Sequence, residues 1–373
     1  MAPPLLPGPA IASVVTNAAA LGFVPVAIYF DLFAILTGIG KPASARDLVE
    51  AWDKQRRDSA SNEGQLSVQL AADTLYVMAG LGFVDLVEDN VFVANCITKH
   101  LVNMPSAQHG ALHFTTEALL GGALLLQKLK DTNFEYPFKE AETPFQHIFQ
   151  LTGNERLARM HTYSIMEHQG RMDSFNQFMV GKFHKFGKMP CRVKGYGYNL
   201  DAVINQDHSV TIVDIAGGRG ELLLEIKEEY PHLGRENLIL EEFNAEVNGS
   251  TLPDLTVVVW NFKQPNSPQP VEGANIYLLQ HILHNLPDLE AISLLQKLAK
   301  AMAPSSRLLI QEFPKNLSYA GMHATMICLY GGRERSPAEW RQMAALSGLE
   351  ITFEAWAAQG ESLLEMRKIA PTQ

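Results

Sequence analysis

Two patterns of hydrophobic spacing divide the chain. From Ile11 to about Gly187 hydrophobic residues recur mostly at helical spacing, whereas short β-rich runs alternate with helical patterns from Val210 onward. This alternation is typical of a doubly wound, mainly parallel sheet that binds its ligand at the carboxyl ends of the strands. The predicted strands are Val210–Asp214, Asn237–Leu240, Thr256–Trp260, Asn275–Leu279, Arg307–Ile310 and Leu349–Phe353.

The N-terminal half contains one interruption of its helical pattern. A helix follows Ser44, which can cap it, a second helix covers about 65–79, and residues 82–93 alternate around an Asp89-Asn90 turn. Helix, helix and hairpin form the outline of a winged helix. Because the second helix has no Lys/Arg face, we interpret this region as a dimerisation scaffold and not as a DNA reader. We divide the chain into a mainly helical region, 1–190, and an α/β domain, 191–373.

Composition restricts the partners and the compartment. The 373 residues are 47% hydrophobic, and 30 Lys plus Arg against 40 Asp plus Glu give a net charge of −10, which does not attract nucleic acid. Three widely spaced cysteines form no metal-ligand pattern and suit a reducing compartment. The apolar stretch 18–38 carries Pro25 and Asp31, so we expect no membrane span, no metal and a cytoplasmic protein.

A glycine-rich turn after the first strand of the α/β domain indicates a cofactor. Strand Val210–Asp214 leads into a turn with Gly217, Gly218 and Gly220, which bring the backbone and a helix N-terminus close to a ligand. Glu242 ends the next strand, where a carboxylate can accept both ribose hydroxyls. Since Leu223 replaces the third glycine of a dinucleotide motif, a mononucleoside such as S-adenosylmethionine (SAM) fits better.

Three motifs of the chain resemble those of the plant and fungal SAM-dependent O-methyltransferases that act on small molecules. They are Val213-Asp-Ile-Ala-Gly-Gly-Arg-Gly, His281-Ile-Leu-His-Asn-Leu-Pro-Asp and Gly331-Gly-Arg-Glu-Arg-Ser-Pro-Ala-Glu-Trp. The resemblance covers nearly the whole chain and implies a Rossmann-like SAM domain, an N-terminal winged-helix dimerisation region and a homodimer. It also implies that His284 is the general base on a substrate hydroxyl, and that Glu312 and Glu334 orient it.

The chain departs from the family pattern around the site. Asn285 and Leu286 replace an Asp-Trp pair after the base, and Thr325 replaces an Asp before the last motif. Asn261, followed by Phe262, replaces the Asp that contacts adenine, and Gln280 replaces a Lys or Arg. The amides of Asn261 and Gln280 still suit a polar ligand, so SAM binding is expected to survive. Asn285 puts methyl transfer in doubt.

The retained motifs and the departures from them leave three hypotheses for the function. The first hypothesis is a pericyclase like the leporin-type fungal enzymes of the same fold, which dehydrate and cyclise polyketide-derived quinone methides beside SAM that is not consumed. The second is an ordinary O-methyltransferase with His284 as base. The third is an inactive dimeric scaffold or SAM sensor. For the pericyclase, His113 and His168 are added as catalytic candidates, and the expected pocket residues for its hydrophobic substrate are Met166, Asn285, Thr325 and Met326.

Overall fold

The computed structural model describes residues 7–57, 64–181, 187–204, 210–243 and 252–369. They form two compact units, which are described separately. The first unit contains Met1–Leu124 and Tyr163–Phe183, and the second contains Leu125–Thr162 and His184–Gln373. A single boundary near residue 190 therefore does not describe the chain. Residues 125–162 belong to the second unit, where the Thr162 hydroxyl donates a hydrogen bond to the Leu329 carbonyl.

The first unit is mainly helical and carries a small antiparallel sheet. Its strands β1 (Ala43–Ser44), β2 (Asp85–Glu88) and β3 (Val91–Val93) pair in the order β1-β3-β2. A π-helix, Phe114–Ala118, follows the α-helix that ends at His113. The helices are α1 (Pro7–Val15), α2 (Asn17–Leu21), α3 (Val24–Tyr29), α4 (Leu32–Ile39), α5 (Ala45–Arg57), α6 (Val68–Gly80), α7 (Cys96–Asn103), α8 (Pro105–His113), α9 (Leu119–Ala123), α12 (Thr162–His168, of which Thr162 belongs to the second unit) and α13 (Met172–Gly181).

The predicted helix, helix and hairpin are present between β1 and β3. The Asp47 backbone N–H donates to the Ser44 hydroxyl at 3.3 Å, and the Asp47 carboxylate accepts from the Ser44 N–H at 2.8 Å, which together cap α5. Asn90 adopts a left-handed φ of 56° in the turn between β2 and β3, a conformation that Asn tolerates. The dimerisation role of this region stays a prediction.

Helices α1 to α3 form a long apolar stretch of the first unit. Residues Pro7–Tyr29 carry no charged side chain, and together they are long and apolar enough to cross a membrane by length and composition alone. Ile11, Val14 and Val15 of α1 are exposed in the single chain. These facts leave the expected homodimer and the expected absence of a membrane partner as predictions.

The second unit is built around a seven-stranded sheet in the order β6-β5-β4-β7-β8-β10-β9. The first five strands are parallel, whereas β10 is antiparallel to both β8 and β9. All six predicted strands are present, with ends within a few residues of the predicted ones. Strand β10 was not predicted. The strands are β4 (Ile212–Ile215), β5 (Leu238–Glu242), β6 (Thr256–Val259), β7 (Ile276–Gln280), β8 (Arg307–Glu312), β9 (Leu349–Ala355) and β10 (Ser362–Lys368).

Alternate residues of the central strands enter two separate cores, one on each face of the sheet. In β7, Tyr277 and Leu279 pack with α17 (Asp288–Ala301) and α19 (Pro337–Leu346). Ile276 and Leu278 pack on the other face with α14 (Met189–Gly195) and α16 (Glu221–Glu229). Two further helices, α10 and α11, lie in the 125–162 segment. The helices of this unit are α10 (Leu125–Asp131), α11 (Pro144–Leu151), α14 (Met189–Gly195), α15 (Asp201–Ile204), α16 (Glu221–Glu229), α17 (Asp288–Ala301), α18 (Ala320–Tyr330) and α19 (Pro337–Leu346).

A pair of leucines in α17 tests this core. Leu295 is 0% exposed and Leu289 is 80% exposed. We expect Leu295→Ala to lower the free energy of unfolding by about 2–5 kcal/mol, because it removes buried methyl groups and leaves a cavity. Leu289→Ala, the matched control, should change it by less than about 0.5 kcal/mol. Urea denaturation followed by circular dichroism measures both, and equal effects would contradict the assignment of the buried face.

Candidate active site

Polar side chains meet where the parallel strands end. Glu242, Gln280 and Glu312 are the last residues of β5, β7 and β8, and Asp214 is the penultimate residue of β4. The sheet order reverses between β4 and β7, so the loops that follow these two strands diverge and leave a crevice. The predicted cofactor and catalytic residues of the second unit therefore lie on one edge of the sheet.

The glycine turn after β4 has the shape that a nucleoside cofactor requires. Gly218 and Gly220 adopt φ values of 63° and 77°, which favour glycine. A Cβ atom on Gly217 would lie 2.2 Å from Asp214 Oδ2, so any side chain here would have to displace the Asp214 carboxylate. Asp214 Oδ2 is buried and has no hydrogen-bond partner among the residues that the structure describes, so it can accept a hydrogen bond from a ligand.

Burial shapes the electrostatics of this turn. Desolvation, together with the nearby Glu242 carboxylate, raises the pKa of Asp214 well above its usual value. Desolvation also raises the pKa of Glu242, although backbone N–H groups oppose it. Glu242 Oε1 accepts from the Gly218 N–H at 2.6 Å, which links the end of β5 to the glycine turn. The predicted ribose-binding carboxylate thus lies beside the predicted cofactor turn.

The loop after β6 carries the predicted adenine contacts. Asn261 and Phe262 are partly buried, and Asn261 Oδ1 accepts from the Lys263 N–H at 3.1 Å. Lys297 Nζ donates to the carbonyls of Phe262 and Gln264 at 2.6 and 2.5 Å, so α17 holds the loop in place. The residues present, including the turn with its buried acceptor, fit SAM.

The predicted base and its two carboxylates lie together. His284 Nδ1 is 3.6 Å from Glu312 Oε2 and 3.5 Å from Glu334 Oε1, and all three side chains are buried. These distances exceed those of good hydrogen bonds, so the carboxylates act mainly through charge. They favour a proton on Nδ1 and leave Nε2 as the nitrogen that can take a proton from a substrate.

A dense set of contacts fixes the loop that carries His284. Glu312 Oε1 accepts from the backbone N–H groups of Leu283 and His284 at 2.9 and 3.2 Å. Arg335 is fully buried and donates to the carbonyls of Leu283 and Leu286 at 2.7 and 2.8 Å. A Cβ atom on Gly332 would lie 2.2 Å from the His284 carbonyl oxygen. These contacts hold His284, the predicted base, in a defined position.

A second histidine lies beside the base. His281 follows β7 with a left-handed φ of 55°, and its ring centroid is 5.4 Å from that of His284 and 4.7 Å from that of Phe313. Its Nε2 lies 2.6 Å from Glu361 Oε1. Glu361 also accepts from Gln280 Nε2 at 3.1 Å, so the predicted cofactor residue Gln280 is tied to this pair.

The remaining pocket candidates of the second unit serve their own loops or helices. Asn285 Nδ2 donates to the His281 carbonyl at 3.1 Å, which braces the loop of the base. The Thr325 hydroxyl donates to the Gly321 carbonyl at 3.0 Å within α18. Met326 is buried on the same helix. Asn285 carries no carboxylate, and the two carboxylates beside His284 Nδ1 are those of Glu312 and Glu334.

His113, His168 and Met166 belong to the first unit. His113 is buried, lies 3.3 Å from Glu117 Oε2 and is surrounded by aromatic rings, including Phe178 at 5.9 Å. His168 ends α12 and is exposed, whereas Met166 is fully buried. Their proposed roles toward the substrate stay predictions.

Several residues of the candidate site were not predicted from the sequence. Glu334 Oε2 lies 3.2 Å from Nδ1 of His323, and the buried Arg192 contacts Glu361 at 3.0 Å. His281 and Arg335 lie within the motifs quoted above, so the sequence contained a signal that these two residues belong to the site. His323, Arg192 and Glu361 lie far from the base in the sequence, and no local pattern marks them.

His281, His284 and Glu312 also satisfy a simple geometric test for a metal site. Each offers a ligand atom, and these atoms lie within 4.8 Å of one another. Two imidazoles and a carboxylate suit several transition metals. The expectation that the protein uses no metal therefore stays a prediction.

Sequence comparisons identify one family, and comparisons with solved structures identify the fold. The O-methyltransferase domain matches residues 200–350. The O-methyltransferase bfoE of Aspergillus brasiliensis is 54% identical over 97% of this chain and 96% of its own. The structure of LepI in complex with SAM has a TM-score of 0.78 at 20% identity, covering 98% of this chain and 90% of that chain. The mitomycin 7-O-methyltransferase MmcR has a TM-score of 0.71 at 21% identity over 97% and 98%.

The fold and the site define an enzyme of the SAM-dependent methyltransferase type. Because bfoE is similar along nearly the full length of both chains, the chain belongs to the O-methyltransferase family. The resemblance inferred from the three motifs is confirmed, as are the SAM cofactor and the α/β fold. The two solved structures are under 25% identical and support the fold alone.

Gly217 provides a direct test of the cofactor turn. We expect Gly217→Ala to weaken binding of S-adenosylhomocysteine (SAH) at least about tenfold, because the new Cβ must displace the buried Asp214 carboxylate. Gly321→Ala is the control, since its added Cβ has 4 Å of open space toward the rest of the described chain beyond its own helix backbone. Isothermal titration calorimetry measures both. Unchanged binding by Gly217→Ala would contradict the assignment of the turn.

Glu241 makes stability depend on pH. Burial raises its pKa to about 7, against a hydrogen bond from Gln269 that lowers it. A carboxyl group with a raised folded-state pKa contributes stability below its unfolded pKa, and this contribution is lost as pH rises through 7. The free energy of unfolding of Glu241→Gln, relative to that of the wild type, should therefore rise by about 2 kcal/mol between pH 5 and pH 8.

Urea denaturation at the two pH values measures this difference. Glu272→Gln, at an exposed position of the same unit, is the control and should not change the pH dependence. A Glu241→Gln protein that loses stability relative to the wild type as pH rises would show that the carboxylate is favoured in the fold.

Proposed function

We propose that the protein transfers a methyl group from SAM to a hydroxyl group of a small aromatic or polyketide molecule, with His284 as the general base. The observation that carries this proposal is the position of His284 Nδ1 between Glu312 and Glu334, both within 3.6 Å. A proton held on Nδ1 leaves Nε2 able to accept the substrate proton. The imidazolium that forms is then stabilised by the two carboxylates.

The burial of the carboxylates strengthens their effect. Desolvation raises the pKa of Glu312, and the charge of His284 opposes this rise. A positive charge on the neighbouring ring therefore stabilises the buried carboxylate of Glu312. Bound SAM supplies a methyl group on a positively charged sulfur, and its transfer to the substrate oxygen breaks the carbon–sulfur bond and leaves SAH.

This proposal reverses the order of the two enzyme hypotheses from the sequence. The doubt about methyl transfer rested on Asn285, which lacks a carboxylate. Its amide is engaged with the His281 carbonyl, and Glu312 and Glu334 provide the charges near the base. The similarity to a relative named as an O-methyltransferase supports the same choice. The pericyclase hypothesis has similarity to the fold of LepI as its support, and this chain is also similar in fold to the methyltransferase MmcR.

His284→Gln tests the proposal. Wild-type protein is incubated with methyl-labelled SAM and either 1-naphthol or 1,8-dihydroxynaphthalene as probe. We expect labelled methyl ether and SAH in equal amounts, and a loss of at least about 100-fold in kcat for His284→Gln, because the base is removed. SAH affinity, measured by calorimetry, should stay within about threefold of wild type.

His232→Gln, an exposed histidine of the same unit, is the control and should retain activity. A variant at His284 with full activity would contradict its role as the base. A probe that loses water or changes its ring structure for many turnovers while SAM stays intact would instead support the pericyclase hypothesis.

A further inference from the structure

Glu140 carries a largely buried carboxylate that the site described above does not use. It lies in a turn that the Glu142 N–H closes by donating to the Lys139 carbonyl at 3.1 Å. The side chain of Glu140 is 19% exposed, whereas those of Lys139 and Glu142 are 65% and 60% exposed. Ala141, the next residue, holds a left-handed φ of 60°, which is costly for a residue with a side chain. The turn therefore keeps one of its charged side chains away from water.

Two side chains from other parts of the second unit contact this carboxylate. Lys263 Nζ donates to Glu140 Oε1, and His161 Nε2 lies 3.0 Å from the same oxygen. Burial alone would raise the pKa of Glu140, but the hydrogen bond from His161 and the charge of Lys263 outweigh it and lower the pKa to about 2. The carboxylate is thus ionised at neutral pH and attracts the Lys263 ammonium group.

Lys263 belongs to the loop after β6, which carries the predicted adenine contacts. This loop begins beside the predicted ribose carboxylate, because the Trp260 N–H donates to the Glu242 carbonyl at 2.9 Å. The Lys263 N–H donates to Asn261 Oδ1 at 3.1 Å. An amide oxygen has two lone pairs, so Asn261 can accept a second hydrogen bond from a ligand. The residue that Glu140 holds is therefore directly bonded to a predicted cofactor contact.

The segment that carries Glu140 is itself fixed against the end of α18. A Cβ atom on Gly331, which follows α18, would lie 2.9 Å from the Phe138 carbonyl oxygen. Further along the segment, the Thr162 hydroxyl donates to the Leu329 carbonyl. These close contacts give the Glu140 turn a defined position in the second unit. A turn that is held in this way can hold another loop in place.

An ion pair between fully exposed side chains contributes little, because water and salt screen both charges. The pair of Glu140 and Lys263 differs in two respects. Its carboxylate is largely removed from water, and it joins two loops that lie more than a hundred residues apart in the sequence. Its effect is therefore expected at the position of the loop after β6.

We propose that Glu140 is a positioning residue for the cofactor, which acts through Lys263 to hold the loop after β6 in the form that contacts the adenine of SAM. The proposal uses the SAM cofactor and the predicted contacts Asn261 and Phe262, and it does not depend on methyl transfer. Because coupling between two sites is reciprocal, a bound cofactor in turn stabilises the Glu140 turn.

Calorimetry of SAH binding to the full chain tests the proposal with Glu140→Gln and Lys263→Met, which remove one charge each and nearly keep the side-chain length. We expect each variant to bind SAH about fivefold more weakly, as the loss of a partly buried ion pair predicts. The double variant should also be about fivefold weaker, since both changes remove the same interaction. Glu142→Gln, in the same turn and 60% exposed, is the matched control and should bind like the wild type.

Hydrogen exchange of the backbone amides of residues 138–142 measures the reciprocal effect. Saturating SAH should slow this exchange several-fold in the wild type and in Glu142→Gln, because the loop after β6 is then ordered against the turn. In Lys263→Met the slowing should fall to less than about half of the wild-type factor. Circular dichroism confirms that each variant is folded.

An ion pair with a merely structural role would lower the melting temperature of the unliganded variants and leave SAH affinity within about twofold of the wild type. That result would overturn the proposal. Single effects that multiply to about 25-fold in the double variant would also overturn it, because Glu140 would then not act through Lys263. Exchange at 138–142 that SAH does not change in the wild type would contradict the coupling. None of these outcomes bears on the role of His284 in methyl transfer.

Discussion

The structure depends on how carboxylates are accommodated at one edge of a parallel sheet. Asp214, Glu242, Glu312, Glu334 and Glu361 come from different elements and converge near the ends of β4, β5, β7 and β8. A buried carboxylate is costly unless donors or positive charges compensate it. The groups that compensate each carboxylate indicate what that carboxylate can do in the site.

The compensation differs from one carboxylate to the next. Glu312 accepts from backbone N–H groups and thereby holds the loop of the base, whereas Glu361 is paired with Arg192 and His281. Glu334 lies between two imidazoles, those of His284 and His323. Asp214 keeps a buried oxygen for a ligand. The cofactor side and the base side are linked through Gln280, which donates to Glu361.

Local sequence patterns predicted the parts of this site that follow a strand or lie within a motif. The glycine turn, Glu242 and His284 follow strands that were predicted within a few residues. The antiparallel strand β10 was missed, because Glu365 and Arg367 interrupt its apolar pattern. Glu365 is nevertheless buried, and it pairs with Arg307 of the distant strand β8. Such long-range pairs leave no periodic signal in one sequence.

The N-terminal half shows the same limit. Caps and turns at Ser44 and Asn90 were predicted because they depend on neighbouring residues. The passage of residues 125–162 into the second unit was not, because it depends on contacts with α18. Local chemistry therefore predicted elements and the cofactor turn, whereas the electrostatic partners of the base required the fold.

The most direct test of the central claim is the tautomer of His284, measured by ¹⁵N NMR of histidine-labelled protein bound to SAH at neutral pH. His284→Gln identifies the resonance. The account predicts a proton on Nδ1, between Glu312 and Glu334, and a non-protonated Nε2 that can accept the substrate proton. A proton fixed on Nε2 would contradict it, because the ring could not then act as the base on that side.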